Sequence, residues 1–168
     1  MSAFEHWLKS TTLADIMHTA WAWPTAESLH FFGLSLLMGT VGIFDLRLMG
    51  LGKQIPLPAL HRLIPFGILG FVINIMTGIS FLTAEPDQYF YNPSFHMKML
   101  FMTLAGFNVA LFYTTMFRRV RTCGPGQQAP LPARLMGAAS LVFWVGVISC
   151  GRLLTFFRPP IHSCPWCW

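Results

Sequence analysis

Charge is what this sequence has least of. Of its 168 residues only 10% are charged, and just six of them are acidic. A soluble domain carries about 25% charged residues, so most of the surface of this chain is not built to face water. Other absences narrow the reading. The four cysteines, Cys123, Cys150, Cys164 and Cys167, are too scattered for a disulfide framework. There is no glycine-rich phosphate loop, no nucleophile with a companion base and no acid–base pair, which argues against an enzyme with a substrate of its own. No internal repeat stands out. The formal charge of +5 would suggest nucleic acid in a soluble protein. Here the basic residues fall between apolar runs, which is the pattern of membrane topology, so no nucleic-acid partner is expected. The opening MSAFEHWLKS lacks a basic region followed by an apolar run. The first span is therefore expected to act as its own insertion signal.

What the chain does have is apolar length: 54% of its residues are hydrophobic and 15% aromatic. The spacing predicts spans at about 24–49, 58–83, 93–118 and 132–157. The first is WAWPTAESLHFFGLSLLMGTVGIFDLRLM, in which Pro24 suits a first helical turn and Trp21 and Trp23 suit the headgroup layer. A helix from Pro24 to Met49 extends about 39 Å, enough for a hydrocarbon core about 30 Å thick. Pro65 falls in the first turns of the second span, and Asn92–Pro93 reads as the cap and first residue of the third. Residues 1–20 are too polar to span; Phe4, Leu8, Leu13, Ile16 and Met17 recur at helical spacing and predict one or two amphipathic helices on the membrane surface. The fold class is thus all-α, a single domain forming a four-helix transmembrane bundle with an amphipathic interfacial segment and a tail at 158–168.

Lysines and arginines set the orientation. Arg47, Lys53, Arg62, Arg118, Arg119, Arg121 and Arg134 gather at one end, against Lys9, Lys98, Arg152 and Arg158 toward the other. The positive-inside rule makes the first group cytoplasmic. Both termini are then expected outside, in a bacterial inner membrane. The rest of the basic rim reads simply: Asp45 with Arg47 or Arg62 as an ion pair.

Polar residues inside spans are costly and point to function. His30 and His96 fall at matched depth on two helices near the outer face, with Glu27, Lys98 and Arg152 in the same layer. Two such imidazoles suit the axial positions of a haem b, and Lys98 and Arg152 suit its propionates. Gly33, Gly106 and Gly151 are candidates for close approach of a flat macrocycle. The bland alternative is that His30 bonds Glu27 or a neighbouring helix as polar glue. A competing ligand set is HMKMLFM, where His96, Met97 and Met99 offer the imidazole and thioethers that favour Cu(I). Asn74 and Thr77 read as inter-helix hydrogen bonders. The tail CPWC lacks the strand–helix setting of a thioredoxin-like thiol, and a local Cys164–Cys167 disulfide is the expectation outside the cytoplasm. Cys150 reads as a small filler and Cys123 as a free thiol.

The motifs ESLHFFGLSLLMGTVGIFDLRLMG, a lysine-bearing third span and SCGRLLTFF resemble a functionally uncharacterised family of small four-helix bacterial inner-membrane proteins. These are distantly similar to the membrane domain of copper-resistance protein D and to four-helix b-type cytochromes. The resemblance covers roughly residues 21–158 and matches Glu27, His30, Asp45, Arg47, Lys98 and Arg152. It implies an electron-transfer protein with haem b or, as the competing reading, a copper-handling protein; a plain membrane anchor for a larger complex is the third. Expected partners are membrane lipid, a quinone and a periplasmic redox or metal-binding protein.

Overall fold

The computed structural model describes residues 3–157, so the CPWC pairing and Arg158 lie outside the described residues. Among those described, every regular element is a helix. Two short helices, α1 (Ala3–Lys9) and α2 (Thr12–Met17), precede α3 (Ala22–Met49). Then come α4 (Leu57–His61), α5 (Ile64–Ala84), α6 (Pro86–Phe90), α7 (Pro93–Leu111), α8 (Phe117–Val120) and α9 (Leu131–Leu153). Four stretches are long and apolar enough to cross a membrane: 22–49, 57–84, 93–120 and 131–153.

Two of the four are interrupted, each for a local reason. The second breaks at Arg62–Leu63 because Pro65, near the start of α5, has no amide to give and would clash with the carbonyl a turn earlier. In the third, Phe112–Met116 forms one wide π turn between α7 and α8. There Thr115 donates to the Leu111 carbonyl at 2.6 Å and Thr114 to that of Ala110 at 2.9 Å. Side chains that bond back to the preceding turn compete with the regular ladder and loosen it. The start of α7 is as the sequence predicts: Asn92 accepts from the Ser94 amide at 3.0 Å. Its amide nitrogen also donates to the Leu154 carbonyl at 3.1 Å, tying α7 to the end of α9.

The helices pack in a row, α5 on α3, α3 on α9, α9 on α7. Small residues allow the tightest crossing. A Cβ on Gly33 would lie 2.8 Å from the Gly70 carbonyl oxygen, so α3 and α5 meet backbone to backbone. The expectation that Gly33 leaves room for a macrocycle is thereby corrected: α5 fills that space. Between α5 and α7 there is no extended contact.

At one end α1 and α2 dock near α5 and α6. Lys9 pairs with Asp87, and the Tyr91 hydroxyl donates to Glu5 at 2.8 Å. At the other end Arg47, 1% exposed, gathers both loops. Its guanidinium donates to the carbonyls of Ile55 (2.7 Å), Lys53 (3.1 Å) and Gln127 (3.2 Å). The Asp45–Arg47 pairing expected at this rim does not form. Arg47 is committed to carbonyls, and Asp45 lies instead with Ser140 along the α3–α9 crossing, with no ion pair to Arg47 or Arg62 among the described residues.

Candidate functional site

Near the α1 end, α3 turns His30 toward α5. The ring nitrogen Nδ1 lies 2.7 Å from the Thr77 hydroxyl oxygen, and Phe81 stands edge-on at 5.8 Å between centroids. The Thr77 hydroxyl oxygen is also 2.8 Å from the Ile73 carbonyl, and a hydroxyl whose single hydrogen goes to that carbonyl accepts from the His30 ring. In that tautomer the imidazole proton is on Nδ1. The lone pair is left on Nε2, the arrangement in which a second group orients a metal-ligating histidine. One turn along α5, Asn74 donates to the Gly70 carbonyl at 2.9 Å, while its buried carbonyl oxygen has no hydrogen-bond partner among the described residues.

Lys98 comes to the same region from α7. It is close enough to act electrostatically on the His30 ring. Its ammonium nitrogen reaches α9, 3.9 Å from where a Cβ on Gly151 would sit, beside the buried thiol of Cys150. Three helices thus contribute to one interior cluster of His30, Lys98 and the Cys150–Gly151 step.

The other residues of the expected layer face elsewhere. His96 is exposed and touches Phe95, with ring centroids 6.3 Å apart. Glu27 and Arg152 are exposed as well. Met97 and Met99 are 45% and 41% exposed, so the thioethers lie on the outward side of α7 with His96. Among the described residues no group of three or more His, Cys, Asp or Glu side chains converges as a metal site.

A second polar set sits inside the opposite half of the bundle; of its members, sequence reasoning singled out only Asp45, and placed it at the rim. The gap between α5 and α7 is a cleft of about 310 Å³, floored by α3 and α9. Its walls are apolar and aromatic, with Phe44, Phe71 and Phe112 among them. Asp45, Ser140, Asn108 and Trp144 also line it. Asn108 is spent on the Met136 carbonyl at 3.0 Å. Oδ2 of Asp45 and Nε1 of Trp144 are buried without a hydrogen-bond partner among the described residues. The signal for this set was a lone acid in an apolar run one turn from the span's end, which pattern reading pairs with the nearest arginine.

Residues 4–157 match the model of a family of unknown function (DUF6644). No curated protein and no solved structure matches the chain.

Proposed function

The chain belongs to that family of unknown function, and from its own residues we propose that it is a multi-pass membrane protein binding one b-type haem for electron transfer, with His30 as the iron ligand. The observation that carries this is the His30–Thr77 hydrogen bond, which leaves Nε2 free and aimed by a fixed ring. The residues fit one axial imidazole from within the bundle and not two, because His96 faces outward. A haem held there supplies reversible one-electron chemistry. The protein's part is to hold the ring of His30 through Thr77, to set a cation, Lys98, near the carboxylates such a group carries, and to exclude water with apolar helices. By the positive-inside rule the His30 end is the outer one, in a bacterial inner membrane. The competing copper set, His96, Met97 and Met99, is exposed on α7 and draws no support from a buried partner such as Thr77 gives His30.

A visible spectrum of protein purified from haem-supplied cells tests this. We expect a reducible b-type spectrum that His30→Ala abolishes and His96→Ala preserves. Lys98→Met should reduce haem retention. Protein that folds without haem, or a His30→Ala variant that keeps it, overturns the assignment.

A further inference from the structure

We infer that the cleft between α5 and α7 is a binding site for a membrane-dissolved quinone, its ring against the cleft aromatics and an oxygen accepting a hydrogen bond from Trp144 Nε1. The inference does not depend on the haem reading and concerns a different part of the bundle.

Four observations point to it. The cleft exists because α5 and α7 leave each other free, and at its lips Ile68 and Val109 are 59% and 41% exposed, so it opens sideways to lipid. Its interior is apolar and flanked by Phe44, Phe71, Phe112 and Trp144, which suits a flat ring. The π turn at Phe112–Met116 begins at the cleft wall, and such turns favour ligand sites by re-aiming side chains. Most telling, two polar atoms of side chains more than nine-tenths buried line the cleft without a hydrogen-bond partner among the described residues: Nε1 of Trp144, a donor only, and Oδ2 of Asp45. Unpartnered buried polar groups are costly and rare, and a ligand offering an acceptor to one and a hydroxyl to the other removes that cost.

Depth selects the class of ligand. Ser140, which lines the cleft with Asp45, stands six residues inside Arg134 along α9, or about 9 Å, and Trp144 stands about 15 Å inside it. A phospholipid headgroup cannot reach that level without burying its charge in hydrocarbon. A small neutral head on an apolar tail can. The quinone carbonyl meets the indole N–H, and the hydroxyl of the reduced form meets the carboxyl.

The test uses the whole chain purified in detergent and a decyl-benzoquinone carrying a photoreactive azide. Saturable labelling should map to peptides of α5 or α7 and be competed by unlabelled decyl-benzoquinone. Gly106 lines the cleft and has open space where its Cβ would be. Gly106→Phe therefore obstructs the cleft without disturbing packing and should abolish labelling. Trp144→Phe removes one hydrogen bond and should raise the half-saturating concentration about tenfold. Ser28→Ala, exposed on α3 and outside both the cleft and the His30 cluster, should leave labelling unchanged. Labelling that does not saturate, that survives both Gly106→Phe and Trp144→Phe, or that phospholipid displaces while decyl-benzoquinone does not, overturns the inference. So does a dimer closing the α5–α7 face against the probe.

Discussion

Removing the Arg47 guanidinium should undo the end of the bundle where both basic loops meet. Arg47 is 1% exposed and donates to three carbonyls, two in the loop after α3 and one in the loop before α9. The Gly126 amide joins the same loops by donating to the Lys53 carbonyl at 2.8 Å. Hydrogen bonds from a charged donor contribute about 1.5–3 kcal/mol each. The sum is reduced on two counts: the second terminal nitrogen of Arg47 is buried without a hydrogen-bond partner among the described residues, and water can reach carbonyls freed at the bundle end. For Arg47→Met a net loss of about 3–5 kcal/mol follows, the range for dismantling a buried charge network. In detergent this should lower the melting temperature by on the order of 10 °C. The local reporter is Cys123, 9% exposed and packed with Leu48, Val120 and Ala133. In a background with Cys164 and Cys167 changed to serine, maleimide should label Cys123 much faster in Arg47→Met, with Cys150 at the far end unchanged. Unaltered melting and labelling would falsify the claim that Arg47 holds the loops.

Thr77→Val should leave the fold intact but lower haem affinity by about 10–100-fold, since it frees the ring and tautomer of His30; haem retention during gel filtration reports it. Asn92→Ala should cost about 1–3 kcal/mol, because it removes both the cap of α7 and the tie to Leu154; thermal melting is the assay. Docking of α1 should weaken at high pH. Hydrogen bonding to Asp87 raises Lys9 above its ordinary value of 10.5. A raised lysine pKa gives stability fully present below 10.5 and lost as pH climbs through the higher folded value. Proteolysis within residues 3–17 should therefore accelerate only in that alkaline window. The stability involved stays within about 1 kcal/mol, because both partners are about one-third exposed.

Hydropathy located four helices long and apolar enough to cross a membrane because apolar length is a one-dimensional property, legible along the chain. Depth is equally legible, and it is why His30, His96, Lys98 and Arg152 were assembled into one layer. Azimuth is the coordinate that depth omits. His96 and Lys98 are two residues apart, which on a helix is about 200° of rotation; one had to face outward once the other faced in. The rows Lys98–Met102–Ala105 and His30–Leu37–Phe44 follow spacings of three, four and seven. Their members Met102, Ala105, Leu37 and Phe44 line the cleft between α5 and α7, so Lys98 and His30 continue its inward-facing stripes. That choice was therefore available from the sequence once the apolar stripes were drawn. Other features were not. Whether Asp45 turns to Arg47 or to Ser140 depends on α9 passing α3 at Gly137, where a Cβ would lie 3.0 Å from the Asp45 carbonyl oxygen. Close approach at that glycine brings Ser140, one turn on, to the carboxyl. A long-range crossing thus decides the neighbour of a residue whose nearest charge in sequence is two positions away. The same crossing leaves Asp45 inside the cleft, and so makes its second carboxyl oxygen available to a ligand.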